Sequence, residues 1–229
     1  MLDPESRRHW ERHGWLVVRG FFSPRETEDL LRWTAEVESW PETPGKWMRY
    51  YERHRGEPGT KQLARIENYL PYASGLDGLF RGARAQELLA ECCGEPVVLF
   101  KDKINFKLPG GAGFGDHQDA PAYVDFGVEH HLTFATPADP FTIENGCLEM
   151  AVDSCQRVIR PQNADGTVRA DEMAKLVLEP LLAQPGDAIV FDAWVPHRSG
   201  PNRSRGPRRV HYLTFNPVSA GDHRAEYYA

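Results

Sequence analysis

His117 and Asp119 stand one residue apart in the run Phe114-Gly-Asp-His-Gln-Asp-Ala-Pro121. The run follows a Gly/Pro-rich turn, Leu108 to Gly113, so it is expected to enter or continue a strand, where positions i and i+2 project to one face. His117 and Asp119 then point together and Gln118 turns away. One imidazole beside one carboxylate makes two thirds of a 2-His-1-carboxylate facial triad, the donor set that holds non-haem Fe(II) and leaves coordination positions open. A second histidine must come from elsewhere in the chain. His197, after the Pro185-Gly-Asp turn and an apolar run, is the preferred source. His130 and His131 compete for the role from Glu129 to Ala135, an expected core strand. Either can instead pair with Glu129 or a backbone carbonyl, and neither has a carboxylate two residues away.

Around this pair the parts come in a definite order: strand, Gly-rich turn, His-x-Asp, a middle section, a Pro-Gly-Asp turn, an apolar strand, a late histidine and then Arg208. In that order the sequence resembles the phytanoyl-CoA dioxygenase (PhyH) family of Fe(II)/2-oxoglutarate-dependent oxygenases, over nearly the whole chain. Thr142 to Met150 is similar to the family's Glu-Asn-Gly-Cys-Leu segment and reads as a structural turn, its Gly and Asn suited to positive φ. Where the family often continues with Gly-Ser-His, this chain has Asp153-Ser154-Cys155. That departure puts a residue of the site's rim in doubt, not the metal centre.

The resemblance implies Fe(II), 2-oxoglutarate and O2 as cofactor and cosubstrates, with succinate and CO2 released. It implies that Arg208, eleven residues after His197, binds the distal carboxylate, where a guanidinium forms two parallel charge-assisted hydrogen bonds. Ser199 matches a hydroxyl that helps hold the same carboxylate. Lys101 and Asn105 match a polar pair, four positions apart, at the oxo-acid end. A plainer reading makes Lys101, Lys103 and Lys107 the exposed face of an edge strand. Arg209 competes with Arg208, and strand parity separates them: one face carries Arg208, Val210, Tyr212 and Thr214, the other Arg209, His211, Leu213 and Phe215. Related halogenases leave the carboxylate position vacant, so Asp119 makes hydroxylation the expected outcome; desaturation, ring closure and epoxidation would use the same centre.

The elements that must position these groups follow from pattern and capping. Pro4 to His13 reads as a helix ended by Gly14, and Trp15 to Arg19 as a strand. Ser23-Pro24-Arg25-Glu26 is a capping-box start, with Leu30, Trp33, Thr34 and Val37 at helical spacing behind it. Residues 41–60 read as a loop or lid containing a short strand, Met48 to Arg53. Ala64 to Leu70 alternates as a strand that puts Arg65, Glu67 and Tyr69 on one face. Those residues form either a solvated face with a surface ion pair or, with Tyr50, the substrate mouth; Tyr123, after the His-x-Asp run, joins the same group of substrate candidates. Ala83 to Cys93 is a helix stopped by Gly94. From Pro96 to Asn216 many short strands alternate with turn signals, which indicates a mainly β fold with flanking helices around a double-stranded β-helix, a cupin-like jelly roll. One domain over 1–229 is expected, with 1–95 as N-terminal helices, strands and lid, and 96–216 as the jelly-roll core.

Composition excludes several classes. With 229 residues, 41% hydrophobic and 11% aromatic, the chain is long and apolar enough for a buried core. A net charge of −6 argues against a nucleic-acid footprint. No run has the roughly 18 apolar residues of a membrane span, and the first residues lack an apolar signal core, so a cytoplasmic location is the expectation. Four irregularly spaced cysteines do not make a disulfide framework. The reading is an Fe(II)/2-oxoglutarate-dependent dioxygenase that hydroxylates a small polar or anionic metabolite. Lys103 and Lys107, with the arginines and tyrosines of 48–69, would suit an anion. The alternatives are a cupin-like metalloenzyme, an isomerase or a Zn or Mn enzyme, that does not use 2-oxoglutarate, and a non-catalytic binding barrel.

Overall fold

Local capping chemistry sets the N-terminal helices. The computed structural model describes residues 2–54 and 59–229. Helix α1 (Pro4–His13) starts at Asp3, whose carboxylate accepts from the Glu5 and Ser6 amides, and stops at Gly14 with φ 72°. After β1 (Trp15–Val18), α2 (Pro24–Ser39) opens on the reciprocal Ser23–Glu26 capping box, a device that contributes ~1 kcal/mol. The hairpin β2 (Met48–Arg53) and β3 (Lys61–Glu67) follows. Part of the expected 41–60 lid, residues 55–58, lies outside the described residues. Two more helices, α3 (Ser74–Phe80) and α4 (Ala83–Cys93), precede the long strand β4 (Val97–Lys107). Then come β5 (Phe114–His117), β6 (Leu132–Pro137), β7 (Leu148–Ala151), α5 (Ala170–Met173) and β8 (Leu178–Leu181). The chain closes with β9 (Ala188–Asp192), β10 (His197–Ser199), β11 (Arg208–Pro217) and α6 (Arg224–Tyr227).

The strands form two antiparallel sheets: a seven-stranded one in the order β1-β9-β6-β11-β4-β3-β2 and a four-stranded one in the order β5-β10-β7-β8. They make a jelly-roll core with helices against the outer face of the larger sheet. The N-terminal strands are not a separate layer, since β1 pairs with β9 and β3 with β4. Strand β11 lies between β6 and β4, and its alternation divides the molecule. Leu213 and Phe215 join Ile104, Phe106 and Phe134 against Leu30, Val37, Phe80 and Leu89 of the helices. Val210 and Tyr212 face the barrel interior with Ile189, Phe191, Leu148 and Met150.

Three local expectations change. Lys101, Lys103 and Lys107 are not on an edge, because β4 is flanked by β11 and β3. Tyr69 does not share a face with Arg65 and Glu67: β3 ends at Glu67, Asn68 takes φ 56°, and that turn drops Tyr69 fully buried into the helix-side core. His130 and His131 precede β6 rather than lying within it. No helix among the described residues is long and apolar enough to cross a membrane.

Candidate active site

Backbone pairing brings the two histidines together. His117 and His197 are directly opposite in the β5–β10 ladder, with ring centroids 4.2 Å apart. Each ring is fixed by the carbonyl two residues before it: His117 Nδ1 lies 2.7 Å from Gly115 O and His197 Nδ1 3.0 Å from Val195 O. A carbonyl only accepts, so both protons sit on Nδ1 and both Nε2 atoms remain as ligands, the orientation that metal-binding imidazoles use.

Asp119 reaches the same point by another route than the expected i, i+2 alternation. Strand β5 ends at His117, and Asp119 has helical backbone angles, φ −76° and ψ −31°, at the start of a single 3-10 turn over Ala120–Ala122. The Ala120 amide donates to Ala193 O at 2.9 Å, and Gln118 points away to bind Trp194 O, Val158 O and the Arg160 amide. The turn, held from both sides, swings the carboxylate inward to 3.7 Å from His117 Nε2. One ligand atom from each of His117, Asp119 and His197 falls within 4.8 Å of the others. Burial acts to raise the Asp119 carboxyl, but His197, Lys103, His117 and Lys101 outweigh it and hold it at about 2. Burial, with the His117 charge, pushes His197 down to about 4. Two imidazoles and one carboxylate facing one space fit a divalent iron.

The three residues line a small pocket together with Lys103, Asn105, Thr133, Ser199, Tyr212 and Phe191. Arg208, on the same face of β11 as Val210 and the lining Tyr212, is wholly buried with its guanidinium 5.0 Å from the Phe141 ring, and among the described residues none of its three side-chain nitrogens has a carboxylate or carbonyl partner. An unpaired buried charge costs several kcal/mol, a cost that a carboxylate in two parallel hydrogen bonds offsets. Asn105 Oδ1 and Thr133 Oγ1 are also buried without partners. Lys107, opposite Arg208 in the β4–β11 ladder, donates to Ser199 Oγ at 2.7 Å. Burial and the Arg208 charge hold its ammonium down to about 6.

Lys101 is placed apart from Asn105, outside this cavity. Its ammonium lies over the rings of Tyr123 at 4.7 Å and Tyr227 at 5.2 Å and donates to Tyr227 Oη at 3.4 Å. Burial, then the Lys103 charge, pushes it down to about 7. The neighbouring wall carries Arg65 opposite Asn105 and Glu67 opposite Lys103. Arg65 Nε is 2.9 Å from Glu67 Oε1, and its guanidinium covers the Tyr50 ring at 4.3 Å. The substrate candidates Tyr50, Arg65, Glu67 and Tyr123 thus gather with Lys101 and Lys103 on one side of the metal cluster.

The structure adds Tyr227, Tyr212 and Thr133 to the residues named from sequence. Tyr212 was legible as a partner of Arg208 in parity. Tyr227 had no local signal: α6 is placed by Arg224, which bonds Asp102 of β4 and Asn68. The rival histidines stand elsewhere, His130 Nε2 at 3.2 Å from Asp192 and the His131 ring against Phe100 and Tyr123.

Known proteins resemble this one in sequence and shape. The model of the phytanoyl-CoA dioxygenase (PhyH) family matches residues 10–210. The chain is 41% identical to a 2-aminoethylphosphonate dioxygenase from an uncultured bacterium, over 98% of this chain and 85% of that protein. It is 38% identical to a methylphosphonate hydroxylase of Gimesia maris, over the whole of this chain and 86% of that protein. Among solved structures, EctD from S. alaskensis, crystallised with 2-oxoglutarate and 5-hydroxyectoine, superposes with a TM-score of 0.83 at 20% identity, covering 96% of this chain and 77% of that one.

Proposed function

The chain belongs to the phytanoyl-CoA dioxygenase family and is an Fe(II)/2-oxoglutarate-dependent dioxygenase, and from that premise we propose that it hydroxylates a small phosphonate. In this reading His117, Asp119 and His197 hold the iron. Arg208 and Ser199 bind the distal carboxylate of 2-oxoglutarate, with Asn105 toward its oxo-acid end. Iron and 2-oxoglutarate, when bound, supply the oxidant for the C–H bond as succinate and CO2 are released. The protein's part is to keep the His197 imidazole neutral, hold Asp119 ionised and place the substrate next to the metal. The observation that carries the reading is the convergence of the three ligand atoms beside a buried arginine without a partner.

The phosphonate is supported by charge and by the two phosphonate-acting relatives. Lys103 and Arg65, with Lys101 charged in part near neutral pH, bring positive charge to a wall whose own carboxylate, Glu67, is already paired with Arg65. A phosphonate dianion suits that excess, and tyrosines around it suit a short organic chain. Lys101 fits this end better than the cosubstrate end. We place the reaction in the cytoplasm, with a small molecule as the partner and no part for nucleic acid or membrane.

Turnover tests the reading. With Fe(II) and 2-oxoglutarate supplied, 2-aminoethylphosphonate and methylphosphonate are expected to give succinate in proportion to a hydroxylated product seen by phosphorus NMR, whereas β-alanine, with a carboxylate in place of the phosphonate, gives succinate only at the background rate. Equal coupling with β-alanine, or none with any phosphonate, would reject the substrate class and leave the oxygenase intact.

A further inference from the structure

We propose that Lys107 is a positioning residue for 2-oxoglutarate: by donating to the Ser199 hydroxyl it obliges that hydroxyl to present its proton to the carboxylate held by Arg208. The proposal rests on the reading of Arg208 and Ser199 as the distal-carboxylate site. Lys107 Nζ lies 2.7 Å from Ser199 Oγ, 3.2 Å from Gly146 O and 2.5 Å from Gly200 O. In its charged form, which an anion bound beside it and Arg208 favours, Lys107 has three donors and no acceptor, so three contacts with oxygen use all of them and fix their direction in the complex. Ser199 Oγ therefore accepts, and its single proton has to go elsewhere.

Arg208 offers only donors, and no acceptor for the Ser199 O–H is found among the described residues. Ser199 lines the cavity, so the acceptor it lacks is one that a ligand brings. A serine without this neighbour could rotate to accept from a cation and waste its proton. Lys107 and Arg208 are also Cα partners across β4 and β11, two buried cations side by side. An anion between them relieves their repulsion and completes the serine's bonding.

The same lysine holds the serine's backbone in place. A Cβ on Gly146 would come within 2.0 Å of Gly200 O, and one on Gly113 within 2.4 Å of Ser199 O, so the chains around Ser199 touch backbone to backbone. Gly146 also has φ 70°, which only glycine adopts at no cost. Lys107 ties the Gly146 and Gly200 carbonyls across this contact. Loop-tying alone would leave the Ser199 contact without consequence for the ligand, and that difference can be measured.

The experiment is an anaerobic titration of Fe(II)-loaded protein with 2-oxoglutarate and, separately, with 2-oxopentanoate, which has a methyl group in place of the distal carboxylate. Dissociation constants are read from the charge-transfer absorption, with no turnover. Lys107→Met and Ser199→Ala are each expected to weaken 2-oxoglutarate by about tenfold, the range of one charge-assisted hydrogen bond, and the double variant to bind about as well as either single one. Binding of 2-oxopentanoate stays at the wild-type level in all three. The proposal is overturned if Lys107→Met weakens both ligands alike, if the two losses multiply, or if Ser199→Ala leaves 2-oxoglutarate unaffected. Ser199→Ala removes one oxygen and keeps the test decisive should the lysine variant not fold. Arg208→Ala distinguishes the levels: if it too leaves 2-oxoglutarate binding unchanged, the carboxylate site itself is misplaced, whereas a large loss there with none in the other variants sinks only the role of Lys107.

Discussion

Arg208 and Arg209 are adjacent on one strand and live in opposite electrostatic circumstances. Arg209 turns toward the helices, where Asp139 receives two of its N–H groups at 2.8 and 2.9 Å and Glu38 a third at 3.1 Å. Arg208 turns inward, is more deeply buried, and has no partner. The histidines repeat the contrast. His211, on the outer face, is bonded at both nitrogens, to Thr34 Oγ1 and Tyr69 Oη, each at 2.7 Å. His117 and His197, inside, are bonded at Nδ1 only. Arg209 and His211, turned toward the helices, are completed by the fold itself, whereas Arg208, Asn105 and Thr133 on the inward side have no partner among the described residues. Buried polar groups without partners are a cost to folding, so the contrast between Arg208 and Arg209 marks a place where stability was given up for binding.

The sharpest test of the contrast removes an inward ligand. His197→Ala is expected to abolish stoichiometric iron binding and to cost activity more than the roughly 10–100-fold typical of losing an outer partner of a metal site. Iron content by metal analysis and succinate formation report it, while the melting temperature hardly moves. Retained stoichiometric iron would mean that the metal sits elsewhere.

Exchanging the arginines comes next. Arg208→Ala should raise the KM for 2-oxoglutarate on the order of 100-fold, the loss of a buried bidentate pair, with unfolding free energy unchanged or increased because an unpaired charge is gone. Arg209→Ala should do the reverse. It leaves that KM alone and lowers stability by about 1–3 kcal/mol in urea unfolding, since Asp139 and Glu38 lose their cation. Equal effects on binding and stability in the two variants would erase the distinction between the faces.

His211→Leu strands the Tyr69 hydroxyl, while Thr34 keeps its bond to Leu30 O, and is expected to destabilise by about 1–3 kcal/mol without altering any kinetic constant. A smaller effect concerns pH. Burial, with the Arg209 charge, pushes the His211 imidazolium down to about 3, whereas in the unfolded chain it titrates near 6.5. The unfolded state therefore takes the proton first as pH falls. The stability that His211 contributes is complete above 6.5 and is lost progressively as pH drops toward 3. In His211→Gln, the fall in unfolding free energy from urea titration between pH 7 and 5 should be shallower than in wild type, by up to about 1 kcal/mol per pH unit.

Much of the site was legible because its signals are local. His117, Asp119 and His197 stand in a recognisable order with Arg208, and the alternation along β4 puts Lys101, Lys103, Asn105 and Lys107 on one face whatever the sheet does with it. The helix starts at Pro4 and Pro24 follow from Asp3 and Ser23, whose caps need only a few neighbouring residues. Parity, however, says which residues share a face and not which face is inward. Spacing from His197 favoured Arg208 over Arg209, but it is the packing of the helices against Leu213 and Phe215 that turns Arg208 inward and His211 outward. Tertiary contact also decided that Asp119 joins His117 and His197 from a turn pinned by Ala193, that Tyr69 crosses to the helix side, and that Tyr227 arrives through the bond between Arg224 and Asp102. Residue type and spacing encode a donor set and an alternation, but which space those donors share depends on contacts between segments far apart in the chain, and no local pattern carries that.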